Sequence, residues 1–66
     1  MKSEVILDTV DLQMVEFQEY LAENKIQAEE VSGMEVKYTG SRESLTEMVK
    51  VWWLDEYLLD LIVEVK

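Results

Sequence analysis

The chain contains no cysteine and no histidine. These two absences exclude thiol nucleophiles, disulfide staples, the usual zinc sites and an imidazole general base, and with them most common enzyme chemistries. Only two glycines are present, so no glycine-rich loop is available to cradle phosphate. Nor does the sequence show a nucleophile elbow, a dinucleotide fingerprint or a metal motif. The expectation is a protein without enzymatic activity and without a cofactor. Basic residues are scarce as well: six lysines and arginines stand against fifteen acids, a net charge of −9 over 66 residues. That balance opposes binding to nucleic acid or to an anionic membrane and points to a basic or neutral protein partner; it equally serves plain solubility. Long apolar runs are missing too. The densest, residues 57–65, is interrupted by Asp60 and Glu64 and is too short to cross a bilayer, and the first residues lack the apolar stretch of a signal peptide. The expected location is the cytoplasm.

Apolar residues make up 48% of the chain and charged residues 32%, a composition far from that of a disordered tail. Residues 1–66 therefore read as one compact domain. A chain this short buries only roughly 60% of the surface exposed on unfolding, so its single core must be used fully.

The clearest architecture lies in residues 34–53. Met34, Val36 and Tyr38 alternate with Glu35, Lys37 and Thr39, the period-two pattern of a half-buried strand, and Gly40 ends it. Ser41 is placed to cap a helix, with its hydroxyl accepting from an otherwise unpartnered backbone N–H of the first turn. Leu45, Met48, Val49 and Trp52 then recur at helical spacing on one face. Before this stretch, residues 4–8 carry the unbroken apolar run Val5, Ile6, Leu7 of a central strand. Asp8, Thr9 and Asp11 supply helix caps and first-turn negative charge for a helix starting near Val10, whose stripe is Val10, Met14, Phe17 and Leu21. The Asp8 and Asp11 pair is read as capping and not as a cation site, since calcium requires six to eight oxygens that no loop here supplies. Asn24 is the expected helix stop, as a residue tolerant of the left-handed conformation, and Ile26 returns to the core. Residues 27–32 read as an edge strand, where Glu29 and Glu30 discourage pairing with another chain, and Gly33 follows as the turn. After Trp53, Leu59, Leu61, Val63 and Val65 alternate with Asp60, Ile62 and Glu64 as a last strand. The competing reading continues the helix through Leu58 and Ile62; the β-branched Ile62, Val63 and Val65 favour the strand.

The resulting order, β-α-β-β-α-β, resembles the ferredoxin-like fold: an α+β arrangement of a four-stranded antiparallel sheet with two helices on one face. Right-handed crossovers put the first and third strands at the centre and the second and fourth at the edges. Because that fold hosts many unrelated functions, the resemblance implies an architecture and no activity. Copper chaperones of similar topology use a Cys-x-x-Cys loop after the first strand, and acylphosphatases an arginine there. This chain has Asp8-Thr9-Val10-Asp11 instead. RNA-binding relatives of the topology read bases with aromatic and basic residues on the open sheet face, where only Lys37 lies within a central strand.

Two features remain as candidates for function. Glu16, Glu19 and Glu23 line one face of the first helix with no lysine among them, at a cost of roughly a few tenths of a kcal/mol for each like-charged i, i+3 or i, i+4 pair. With Asp11 nearby, Glu29 and Glu30 at one edge, and Glu43 and Glu47 on the second helix, the row is either a solvated acidic face or part of a set of spaced carboxylates that imitates the phosphates of DNA or docks on a basic protein groove. Trp52, Trp53 and Tyr57 are the second. Adjacent helical positions point about 100° apart, so Trp52 is assigned to the core and Trp53 to the rim, where with Tyr57 it either anchors a partner or covers the end of a small core. Tyr20 sits between the apolar stripe and the acidic row. Glu16, Glu19, Glu23, Tyr20, Trp53 and Tyr57 are thus the candidate partner-binding residues. The function expected from them is protein binding, in the manner of a phage or mobile-element inhibitor of a nucleic-acid-handling protein. The alternative is a self-associating structural or regulatory module that forms a homodimer through its sheet face or edges, and a third reading adds small-ligand or metal sensing at such an interface.

Overall fold

The computed structural model describes residues 2–8 and 14–65. Its strands are β1 (Lys2–Asp8), β2 (Gln27–Glu30), β3 (Glu35–Gly40) and β4 (Val63–Val65), and its main helices are α1 (Val15–Glu23) and α2 (Arg42–Met48). A π-helical turn (Val49–Trp53) and a 3-10 helix (Glu56–Leu61) carry the chain from α2 to β4. The sheet order is β2-β3-β1-β4 with every neighbouring pair antiparallel, the α+β arrangement expected from the ferredoxin-like element order. β1 and β3 are central, as their apolar content requires.

Alternation along the central strands defines the two faces. Val5 and Leu7 of β1 stand opposite Tyr38 and Val36 of β3, and all four are buried. Phe17 and Leu21 of α1 and Leu45 and Met48 of α2 complete the core from the helical side, joined by Ile26, Val49 and Ile62. Burying an apolar side chain of this size stabilises by about 1.5–3 kcal/mol, and of the large apolar residues of α1 and α2 only Val15 is left exposed. Among the described residues neither α1 nor α2 covers the opposite face, with Glu4, Ile6, Asp8, Glu35, Lys37 and Thr39 on the central strands; the 3-10 helix borders it beside Ile6 and Asp8.

Local chemistry sets the helix ends. Ser41 accepts a hydrogen bond from the Ser44 amide at 3.1 Å and caps α2 as its position in the sequence implies. α1 ends in a Schellman motif: the Ile26 amide donates to the Leu21 carbonyl at 2.9 Å and the Lys25 amide to that of Ala22 at 3.2 Å. Leu21 and Ile26, the hydrophobic pair that accompanies this motif, are both buried. The left-handed residue is Lys25, with φ 56°, and not Asn24, with φ −96°; Asn24 instead donates its side-chain amide to the Tyr20 carbonyl at 2.8 Å.

Several boundaries differ from the sequence expectations. β1 begins at Lys2, because Lys2 and Glu4 pair with Val65 and Val63 of β4. Asp8 is the last residue of β1, opposite Glu35, and does not cap α1. The helix starts at Val15 after an uncapped Met14 whose carbonyl accepts from Phe17 and Gln18; Met14 is exposed, and Thr9, Val10 and Asp11 lie outside the described residues. β2 stops at Glu30, and residues 31–34 form the hairpin loop, so Met34 is exposed. Gly40 ends β3 as expected, and does so inside the sheet, buried opposite Ser3, with room for a Cβ only 3.3 Å from Ile26 Cγ1.

The largest correction concerns the C-terminal segment. Residues 56–61 are 3-10 helix and β4 has three residues. Its phase is the reverse of that expected: Ile62 enters the core, which turns Val63 and Val65 to the open face. Strand period two allows no other outcome once Ile62 is inside.

Candidate functional site

α1 presents its three glutamates to solvent on consecutive turns. Glu16 and Glu23 lie four residues before and three after Tyr20, the spacing that makes side chains neighbours on a helix surface, and Glu16, Glu19 and Glu23 are all exposed. The last turn of α1 holds no basic residue. Glu23 therefore stands at the negative end of the helix dipole, where an anion is disfavoured by about 0.3–1 kcal/mol. Among the described residues the one ion pair is elsewhere, between Lys37 Nζ and Glu29 Oε2 at 3.6 Å across the β2–β3 ladder. The acidic row is unneutralised by its own fold.

Tyr20 joins this row to α2. Its ring packs edge-on against Trp52 with centroids 5.9 Å apart. The phenol is pushed above its ordinary value, first by burial and second by the negative charge of Glu47 on α2. Glu47 thus belongs with Glu16, Glu19 and Glu23 around one aromatic residue. The sequence already places Glu47 on the second helix as part of the acidic surface; the fold adds its nearness to Tyr20. The Tyr20 hydroxyl and the Trp52 indole N–H are both buried without a hydrogen-bond partner. Polar groups so placed are rare, since each costs about 1–3 kcal/mol.

Trp53 is half-buried, as is Trp52, and covers one end of the small core, the second of its two expected roles. The π turn, closed by the Leu54 amide donating to the Val49 carbonyl at 3.0 Å, is wider than an α-helical turn and reduces the angle between successive side chains. Both indoles consequently reach Phe17: Trp52 at 4.9 Å and Trp53 at 6.1 Å between centroids, with Trp53 also 5.4 Å from Tyr38. Tyr57 is the exposed aromatic, 86% accessible in the 3-10 helix, its amide donating to the Asp55 carboxylate at 3.0 Å. It takes part in no ring contact with the acidic row's Tyr20. The structure therefore brings Glu47 near Tyr20, leaves Glu16, Glu19 and Glu23 exposed along α1, packs Trp53 on the core, and leaves Tyr57 in the separate segment after the π turn.

Among the described residues no three metal-ligating side chains converge, and no helix is long and apolar enough to cross a membrane. The chemistry on offer at α1 is that of fixed, exposed negative charge beside an amphipathic phenol. Comparison with protein-family models, with curated proteins and with solved structures gives no match.

Proposed function

We propose that the protein is a small non-enzymatic binding module whose acidic α1 face docks on a basic protein surface. The observation that carries this reading is the position of Glu23. An anion at the C-terminal end of α1, beside Glu16 and Glu19 and with no cation in the last turn, weakens the helix that bears it. A basic partner supplies the missing countercharge. Glu47, exposed on α2, extends the surface, so a docked cation meets carboxylates from two helices, with the Tyr20 hydroxyl buried behind them. Carboxylates spaced one helical turn apart suit a groove evolved for phosphates, which makes a nucleic-acid-binding protein the favoured partner class and inhibition by occupying its groove the favoured consequence. A phage or mobile-element inhibitor of a host protein is the concrete form of that reading.

The test couples binding to stability. Immobilised protein is exposed to cell lysate at low and at high salt, with DNA as competitor, beside the variant Glu16→Lys/Glu19→Lys/Glu23→Lys. The reading requires that basic, DNA-competed proteins are retained at low salt and released at high salt, and that the variant retains none of them. It further requires that the variant unfolds no more easily than the parent, because the acidic row contributes nothing to the fold. Undiminished capture by the variant removes α1 as the site.

A further inference from the structure

The open sheet face carries an apolar stripe that no described residue covers. Because Ile62 points into the core, Val63 and Val65 point out beside Glu4 and Lys2, and Leu61 joins them at the end of the 3-10 helix. Ile6 is 42% accessible and Val63 51%, and with Glu4, Val5 and Leu61 they line a shallow groove of about 170 Å³. Three consecutive outward positions of the segment leading into and through β4 are thus apolar in a chain with a net charge of −9. The stripe is confined to the β1–β4 half; the β2 edge is occupied by the Glu29–Lys37 pair.

We infer that this face pairs with the same face of a second copy, about a two-fold axis lying between the sheets and perpendicular to the strands. Three features select a second copy as the occupant. First, the face is electrostatically self-complementary end to end. Lys2 begins β1 and Asp8 ends it, opposite Glu35, a separation of roughly 20 Å at strand rise. The two-fold lays β1 on the partner's β1 in the opposite direction, so Lys2 meets the partner's Asp8 at both ends. Second, the same operation superposes the apolar stripes, placing Val63 over the partner's Leu61 and Glu4 beside rather than over the partner's Glu4. Third, the size matches. A molecule of 29 × 24 × 22 Å offers in one face an outline comparable to the roughly 800 Å² per partner of a standard stable interface.

The pairing goes beyond the docking role of α1 and is independent of it. Both helices lie on the far side of the sheet, so the dimer displays two acidic α1 faces pointing away from each other.

Sedimentation equilibrium of the full chain from low to high micromolar concentration, at low and high salt, tests the pairing. The expected result is a monomer–dimer equilibrium that persists at high salt. Val63→Glu should shift the midpoint at least tenfold towards monomer while leaving the far-ultraviolet circular dichroism unchanged, since Val63 is solvent-facing in the monomer. Lys2→Glu and Asp8→Lys should each weaken the dimer and their combination should restore it, a rescue that only the end-to-end pairing predicts. A parent chain that stays monomeric at high micromolar concentration overturns the inference. A dimer unaffected by Val63→Glu, or charge variants without rescue, overturns this face or this axis. If Val63→Glu disturbs the fold, Ile6→Thr, which keeps a β-branched residue in β1, reads the same contact. None of these outcomes depends on Glu16, Glu19 or Glu23, so failure here is distinct from failure of the proposed function.

Discussion

The indole of Trp53 meets the ring of Tyr38 edge-on, with centroids 5.4 Å apart and planes at 75°, while the Tyr38 hydroxyl is buried without a hydrogen-bond partner. The residue is the largest fully buried side chain of the core, and its ring also lies 6.1 Å from Phe17. The ring stabilises the fold and the hydroxyl opposes it. Tyr38→Phe keeps every ring contact and removes the unpaired oxygen, so it should raise unfolding stability by about 1 kcal/mol or leave it unchanged. Urea unfolding at neutral pH measures the difference; a loss of more than about 1 kcal/mol would show that the hydroxyl has a partner.

Burial also pushes the Tyr38 phenol up from 10.0 to about 12. Its proton is lost more readily from the unfolded chain, so the contribution is fully present below pH 10 and is lost as pH rises from about 10 to about 12, levelling off above that. Tyr20 shifts in the same direction and adds to the fall. Stability of the parent should therefore drop between pH 9 and pH 12, and Tyr38→Phe should flatten most of the drop. Chemical unfolding at pH steps across that interval, compared for the two proteins, checks the sign.

Among the described residues two other than glycine occupy the left-handed region, Lys25 and Leu54, each with φ 56°. Lys25 closes the Schellman motif of α1 and Leu54 closes the π turn with its side chain 82% exposed. For a residue with a Cβ this conformation costs roughly 1 kcal/mol. Lys25→Gly and Leu54→Gly should each stabilise by about 0.5–1 kcal/mol, because neither side chain contributes to the buried core. Thermal unfolding of the two variants and of their combination should show near-additive gains, the sites being on different elements.

Asp8 and Glu35 are directly opposed on the open face of the β1–β3 ladder. Like charges in that relation destabilise a sheet, and an opposite pair contributes about 0.2–1 kcal/mol. Glu35→Lys should stabilise the monomer by an amount of that order at low salt, with the gain shrinking as salt rises. Equal gains at low and high salt would mean that packing and not charge is responsible.

Replacing Ser41 with alanine removes the acceptor of the Ser44 amide at 3.1 Å and the Ser44 hydroxyl contact at 2.9 Å. The expected cost is about 1 kcal/mol. Ser41→Asp should recover most of it, as aspartate caps through the same geometry and adds charge at the favourable end of the α2 dipole. A cost that aspartate does not recover would assign the effect to something other than the cap.

Sequence pattern alone determined the element order, the central position of β1 and β3, the cap at Ser41 and the apolar faces of α1 and α2. Each rests on local rules: period two in residues 34–39, period 3.6 from Leu45 to Trp52, and a hydroxyl one residue before a helix. The acidic row was legible for the same reason, since i, i+3 and i, i+4 neighbours follow from helix geometry without a tertiary contact. Three things were decided only by the tertiary structure. The π turn closing on Leu54 rotates Trp53 inward onto Tyr38 and Phe17, which no 100° wheel can show. The fold brings Glu47 of α2 close enough to Tyr20 of α1 to act on its phenol, a pairing that the shared face of the two helices does not by itself specify. In β4, Ile62, Val63 and Val65 are chemically interchangeable to a strand pattern, and the phase was set by which of them the last opening in the core could take; Ile62 took it, and period two sent both valines to the open face.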